Sequence, residues 1–312
     1  MKVLDLFSGG GGLALGFARA GFSVTGVDKS EVAGKTFKLN GIGDFILADL
    51  SEQTVDGFSD VIIGGPPCKL WSTVNIVRRG VKHPDHVLLS RFFEHIRVNR
   101  PRAFLMENVP ALRKDPALEL ELKKMREMGY SVESRTVRYS DFGAATMRRR
   151  LIVFGSREMN ATVFFESLLN FKQRPSTVRD AIWYLRKKGR GEVADHEWPE
   201  FRTIRKYMKN YESGKYGWYI LKWDSPSPSF GNIMKTYILH PDSLNGGEMR
   251  VISVREAWSI MGFDMSFRLP EDAGLSAKYQ MAADSVSPYF SYAAARVIKQ
   301  MVDGDYGDAG SA

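Results

Sequence analysis

Cys68 is the residue of this sequence best placed to act as a nucleophile. It is the only cysteine, so it cannot form a disulfide within the chain. It follows Pro66 and Pro67 at the end of the apolar run 61–65, which predicts a strand that ends in a loop. In open α/β sheets the carboxyl ends of strands face the ligand crevice, and a thiol held there suits covalent catalysis. A buried, unreactive cysteine is the alternative that this residue alone leaves open.

The first fifty residues predict a nucleoside-binding site. An apolar strand pattern over residues 3–7 runs into Ser8 and four glycines, and a helical pattern follows. A glycine turn at the start of a helix lets the backbone approach a ligand, although this turn lacks the spacing of a dinucleotide site and the lysine of a P-loop. The next two strand patterns end at Asp28 and Asp49. Their carboxylates suit a ribose and an adenine amino group.

An α/β scaffold has to position these residues. From residue 1 to about 155, short apolar strands alternate with helical stretches, which predicts a Rossmann-like, doubly wound sheet. The alternation stops after residue 155, where basic and aromatic clusters occupy 183–190, 201–207 and 215–219. Such clusters suit nucleic acid, but any individual Trp or Tyr among them could equally be part of a small domain core.

Composition limits the class of protein. The 312 residues carry a formal net charge of +8, and basic residues outnumber acidic ones between 156 and 249, which suits a polyanionic partner. No run approaches the roughly 18 apolar residues of a membrane helix, and the chain enters a strand pattern at once, without a signal peptide. We therefore expect a cytoplasmic protein with no membrane partner. His83 and His86 have no further histidine or cysteine nearby, so we expect no metal.

Six motifs resemble those of the cytosine-C5 DNA methyltransferase family, in the family's order, from the first strand to about residue 300. They are DLFSGGGGLALGF (5–17), GGPPCKLWS (64–72), MENVPAL (106–112), DFGAATMRRRLIVFG (141–155), RVISVREAWSIMGF (250–263) and QMAADSVSP (280–288). The resemblance implies a catalytic domain of residues 1–155 plus 250–302, a smaller, β-rich target-recognition domain of residues 156–249, and a flexible tail of residues 303–312.

The resemblance also implies a reaction. S-adenosylmethionine would donate the methyl group and leave as S-adenosylhomocysteine, without a metal. Cys68 would add to C6 of a flipped-out cytosine, Glu107 would hold N3 and the exocyclic amine, and Arg148 and Arg150 would hold O2 and brace the site. Without the family context, a basic surface turn is the favoured interpretation of 148–150. The expected cofactor-binding residues are Phe7, Ser8, Gly9, Gly11, Gly12, Leu13, Asp28, Lys29, Asp49, Leu50, Pro66, Ser285 and Val286.

Double-stranded DNA is the partner that the resemblance implies. The loop after Cys68 would close over the flipped base, and the recognition domain would read the sequence. A monomer is expected, and a cognate restriction endonuclease acting separately is compatible with this family. The expected DNA-binding residues are Ser72, Arg78, Arg79, Lys82, Arg202 and Arg205.

The sequence departs from the family pattern at three places. Lys69 and Thr146 stand where glutamines are usual, and Ala283-Asp284 stands where Gly-Asn is usual. We hypothesise that Lys69 and Asp284 form an ion pair in place of the usual amide pair. Two other functions stay open: methylation of transfer RNA, whose enzymes usually carry a Cys-Phe-Thr signature that this chain lacks, and a catalytically silent homologue that binds nucleic acid or a partner methylase.

Overall fold

The computed structural model describes residues 1–57, 59–67, 84–201, 204–213, 217–244 and 247–303. The chain forms two compact units. The first contains Met1–Val137, Arg149–Lys172 and the chain from Phe290 onward, and the second contains Arg138–Arg148 and Gln173–Tyr289. The second unit therefore includes 138–148 and 250–289, which the resemblance had assigned to the catalytic domain, and leaves out 156–172 of the predicted recognition domain.

The first unit contains a seven-stranded sheet in the order β3-β2-β1-β4-β5-β7-β6. The strands are β1 Lys2–Leu6, β2 Ser23–Asp28, β3 Asp44–Leu47, β4 Val61–Gly64, β5 Ala103–Asn108, β6 Ser131–Arg138 and β7 Arg149–Ser156. β1 pairs in parallel with β2 and β4, while β7 is antiparallel to β5. The predicted α/β, Rossmann-like sheet is confirmed.

Helices follow the strands of this unit. They are α1 Gly12–Arg19, α2 Glu31–Leu39, α3 Pro84–Asn99, α4 Pro116–Glu127 and α5 Ala161–Leu168, together with α11 Pro288–Asp303, most of which belongs here. The central strand β4 is completely buried. Its continuous apolar sequence is what a strand covered on both faces requires. Within the described residues, no helix has both the length and the apolar character needed to cross a membrane.

α1 lies directly against α11. The Ser291 hydroxyl donates a hydrogen bond to the carbonyl of Gly12 at 3.1 Å, joining residues 279 positions apart. A Cβ at Gly16 would collide with Ser291 Oγ and with the backbone nitrogen of Tyr292. Glycine at position 16 is therefore what allows the two helices to approach so closely.

The described residues of the second unit differ from the β-rich domain that the resemblance implies. They form short helices and single bridges instead of ladders: Thr146 with Ser227, Ile220 with Leu239, and Leu239 with Val251. Pro226 and Pro228 each lack the N–H that a ladder needs, so pairing around Ser227 does not extend. The helices are α6 Val178–Ile182, α7 Met208–Glu212, α8 Ile233–Thr236, α9 Val254–Ile260 and α10 Leu275–Asp284.

Candidate active site

Glu107 and Arg150 form an ion pair across two neighbouring strands. β5 and β7 run antiparallel, with Glu107 opposite Ile152, so the two side chains approach from adjacent strands. Arg150 Nε lies 2.9 Å from Glu107 Oε1, and the two side chains are only 12% and 9% exposed. The guanidinium therefore fixes one carboxylate oxygen in a largely dry position.

The chain just before Cys68 is held next to this pair. Asn108, the last residue of β5, is buried and donates from Nδ2 to the carbonyl of Pro66 at 2.9 Å. Gly65 also matters, because a Cβ there would lie 3.3 Å from Glu107 Oε2 and crowd it. The predicted residues Cys68, Lys69, Ser72, Arg78, Arg79, Lys82 and Arg202 lie outside the described residues.

The glycine turn has the backbone geometry of a ligand cradle. Gly9 and Gly11 have φ values of +50° and +80°, and a Cβ at Gly9 would meet nothing within 4 Å. Phe7 is also left-handed, with φ +58°, a conformation that a non-glycine residue adopts only when its surroundings hold it there. α1 begins immediately afterwards at Gly12 and Leu13, both buried.

Asp28 and Asp49 lie at the ends of neighbouring strands, as predicted. Asp28 accepts hydrogen bonds from the backbone N–H groups of Gly9 and Ser30, each at 2.9 Å, which locks the glycine turn to the end of β2. Hydrogen bonds from Ser51, assisted by Lys29 at 3.1 Å, lower the pKa of Asp49 to about 2. Asp49 is thus a fixed anion at neutral pH.

Leu50 was predicted to contact the cofactor, but its side chain lies in the hydrophobic core. Its side chain is 2% exposed and belongs to the main hydrophobic core of the first unit. The backbone that links Asp49 to Leu50 can still face a ligand, but the isobutyl group packs inward. A strongly apolar residue after a strand-end carboxylate is compatible with either environment, so sequence alone does not distinguish the two.

Asp5 is a buried carboxylate that opens the motif 5–17 but was not among the predicted site residues. It lies near the end of β1, is 1% exposed, and neither of its oxygens has a hydrogen-bond partner of standard geometry. Burial and the nearby charge of Asp28 raise the pKa of Asp5 well above its usual range, and the backbone N–H of Ala14 opposes the shift. Ser8 Oγ is buried without a partner as well. The detectable signal was a charged residue within the apolar strand 3–7.

Of the predicted site residues that the structure describes, four lie in the second unit. Arg148 is 4% exposed and donates to the carbonyl of Phe230 at 3.3 Å, which ties residues 144–148 to the 227–230 segment. Ser285 donates to the carbonyl of Met281 at 2.8 Å, and Val286 is buried. Arg205 is exposed. Asp284, which we expected to pair with Lys69, accepts a hydrogen bond from Gln280 at 2.8 Å.

The first unit therefore combines two chemical features. One is a polarised carboxylate, Glu107, beside the prolines that precede the only cysteine; the other is a glycine turn enclosed by carboxylates. Asp5 and Ser8, which precede the turn, carry buried oxygens without a hydrogen-bond partner of standard geometry. In the described part of the chain, no three His, Cys, Asp or Glu side chains converge as a metal site would need.

Curated sequences resemble this chain over nearly its whole length. The Type II methyltransferase M.FnuDI of Fusobacterium nucleatum is 29% identical over 96% of this chain and 94% of its own length. M.NgoPII of Neisseria gonorrhoeae, also a Type II methyltransferase, is 27% identical over 97% of this chain and 96% of its own length.

Solved structures share the fold. The S. pombe Dnmt2 methyltransferase superimposes with a TM-score of 0.73 at 17% identity, covering 98% of this chain and 99% of its own. The Entamoeba histolytica methyltransferase EhMeth gives the same score at 16% identity, covering 98% of this chain and 99% of its own. The family model for C-5 cytosine-specific DNA methylases matches residues 1–300. The chain belongs to the C-5 cytosine-specific DNA methylase family and is a DNA cytosine-5 methyltransferase.

Proposed function

We propose that this enzyme methylates C5 of a flipped-out cytosine in a specific duplex DNA sequence, through a covalent bond between Cys68 and C6. The observation that carries this proposal is the Glu107–Arg150 pair, held at 2.9 Å beside the Pro66 segment that leads to Cys68. The Type II names of the similar proteins support a role beside a separately acting restriction endonuclease. We also propose that the enzyme acts as a monomer.

The residues of the glycine turn fit S-adenosylmethionine. Asp28 and Asp49 would hold its ribose and adenine, while Gly9 and Gly11 leave backbone room beside them. The carboxyl group of Asp5 and the hydroxyl group of Ser8 are buried just before the turn without a hydrogen-bond partner of standard geometry, which suits a ligand with polar groups. When bound, the cofactor supplies an electrophilic methyl group. The remaining predicted contacts, including Phe7, Lys29, Ser285 and Val286, stay part of this proposal.

Cys68 would initiate the reaction. Its thiolate adds to C6 of cytosine, and the electron pair of the C5–C6 double bond becomes available at C5. Glu107, in its protonated form, would donate its proton to N3 and so neutralise the negative charge that develops there as the thiolate adds, with Arg150 holding the side chain in place. After methylation, loss of the C5 proton re-forms the double bond and expels the thiolate.

Methyl transfer from radiolabelled S-adenosylmethionine tests this function. Wild-type protein is offered unmethylated plasmid DNA and, separately, total transfer RNA, and bisulfite sequencing then locates 5-methylcytosine in the DNA. We expect label in DNA at one recurring motif. Label only in RNA would replace DNA with RNA as the substrate.

The covalent step has its own test. A duplex containing 5-fluorocytosine at the methylated position should trap wild-type protein as an adduct that resists denaturation. Cys68→Ser should bind the same duplex without being trapped, and Glu107→Gln should form the adduct about 10²–10⁴-fold more slowly. DNA binding by the wild type without any adduct would favour the silent homologue.

A further inference from the structure

Several arginines of the second unit already have a carboxylate partner. Five pairs show this within the described residues: Arg179 with Asp224, Arg186 with Asp242, Arg190 with Glu200, Arg250 with Glu256, and Arg255 with Asp195. Their N···O distances lie between 2.7 and 3.2 Å. A guanidinium engaged in this way would have to exchange its partner before it could contact a phosphate. Arg186 and Arg190, the two arginines of the basic cluster 183–190, thus both pair with carboxylates of the second unit.

Residues 204–213 differ from that cluster. Arg205, Lys206 and Lys209 are exposed, and none forms an ion pair with any residue that the structure describes. Arg205 and Lys206 lie in the 3-10 turn Ile204–Tyr207, and Lys209 lies in the first turn of α7, which follows it directly. Glu212 is the segment's single carboxylate. The surface therefore presents net positive charge that no described side chain neutralises.

An aromatic side chain lies within this basic surface. Tyr207 is 45% exposed, and its ring centroid lies 5.0 Å from that of Trp218. Trp218 in turn stacks on Tyr237 at 5.3 Å with an interplanar angle of 26°. Tyr207 is thus the exposed member of a cluster of three aromatic rings.

A hydrogen bond from the buried Tyr211 holds this ring cluster in place. Tyr211, 7% exposed, donates its hydroxyl hydrogen to the carbonyl of Tyr237 at 2.7 Å. Tyr237 has φ +44°, a strained conformation for a tyrosine that this hydrogen bond and the ring packing help to hold. A rigid support lowers the conformational entropy that is given up when Tyr207 meets a partner.

We propose that Arg205, Lys206, Tyr207 and Lys209, here called the Tyr207 face, form a docking surface for the sugar–phosphate backbone of duplex DNA. The three cations neutralise phosphates, and Tyr207 packs on the adjoining sugar. The proposal rests on the proposed function, since it assumes that the substrate is DNA. The Tyr207 face would then contribute to the affinity for DNA and to the position of the enzyme along the duplex, while other residues recognise the bases.

The salt dependence of DNA binding tests the proposal. Removing one cation that neutralises a phosphate should reduce the slope of log Kobs against log[salt] by about 1, so Arg205→Gln/Lys206→Gln/Lys209→Gln should reduce it by about 3. The matched control, Lys38→Gln/Lys123→Gln/Lys172→Gln, removes the same charge from exposed positions of the first unit. We expect the control to keep the wild-type slope, and both triple variants to keep the methylated sequence motif.

Two tyrosine variants test the ring. Tyr207→Ala should raise the KM for DNA about tenfold with little change in kcat, while Tyr207→Phe should behave as wild type, because stacking on a sugar needs no hydroxyl. Tyr292→Ala, at another exposed tyrosine, is the control.

The outcomes separate the two proposals. If wild-type protein methylates DNA and the charge-removed variant keeps its salt slope, the Tyr207 face does not bind DNA and only this inference fails. If the wild type methylates no DNA, the proposed function fails first. A slope change that appears only with RNA would assign the face to a different nucleic acid and overturn the proposal as stated.

Discussion

Glu256→Gln should destabilise the second unit severely, although it changes only one atom of the side chain. Glu256 is completely buried and accepts two hydrogen bonds from Arg250, at 2.7 Å each, and one from the backbone of Ser253, also at 2.7 Å. Burial alone would raise the pKa of Glu256, but the hydrogen bonds and charge of Arg250 lower it overall. The carboxylate therefore stays ionised.

The size of the expected loss of stability depends on Arg250, the cation that loses its partner in Glu256→Gln. The side chain of Arg250 is 8% exposed and lies over the ring of Trp198 at 4.3 Å, so water cannot replace the missing carboxylate. Breaking one partner of a buried ion pair costs about 3–5 kcal/mol. The same substitution at the exposed Arg190–Glu200 pair, Glu200→Gln, should cost less than about 1 kcal/mol.

Urea unfolding followed by tryptophan fluorescence measures the difference. Five of the six tryptophans, at positions 183, 198, 218, 223 and 258, lie in the second unit, so the signal reports mainly on that unit. Replacing both partners, as Arg250→Met/Glu256→Leu, should recover much of the stability. If Glu256→Gln costs no more than Glu200→Gln, the buried pair does not stabilise this unit in the way argued.

Three further predictions concern the active site, the first unit and pH. Arg150→Lys should slow methyl transfer about 100-fold with little change in DNA affinity, because an ammonium cannot hold Glu107 as a guanidinium does; equal loss of binding and rate would contradict this. Gly16→Ala should cost about 1–3 kcal/mol in thermal unfolding, and an unchanged midpoint would show that α1 and α11 can separate without loss. Burial, opposed by the charge of Glu256, lowers the pKa of His240 from 6.5 to about 4. Between these two pKa values the unfolded state binds a proton at His240 and the folded state does not. About 2–3 kcal/mol of the stability present above pH 6.5 should therefore be lost as pH falls towards 4, and His240→Gln should make the unfolding free energy less dependent on pH in this range.

Local patterns were sufficient to predict the sheet and the residues at its strand ends. Asp28 ends β2 and Glu107 lies near the end of β5, because a buried parallel strand is an apolar run whose end is visible in the sequence. Asp49 lies just beyond β3, which is apolar in sequence but largely exposed. The glycine turn was predictable for a related reason, since four consecutive glycines leave few other structures.

Long-range pairing could not be predicted in this way. The clusters 183–190 and 201–207 look alike in sequence, but Arg186 meets a carboxylate 56 positions away, whereas Arg205 meets none among the described residues. The burial of Asp5 and Leu50 likewise depends on neighbours that are distant in sequence. The β-rich second domain was implied by the resemblance alone, because aromatic content indicates a core without indicating which backbone structure surrounds it.

The hydrogen bond between Gly12 and Ser291 has a consequence for synthesis of the protein. These residues are 279 positions apart, so a ribosome adding about 5–20 residues per second makes the second roughly 15–55 s after the first. During that interval α1 lacks the helix that covers Gly16, and the glycine turn at its start lacks its final support. The nascent chain would therefore complete the packing around Gly16 only after Ser291 has been made, long after the glycine turn itself has been synthesised.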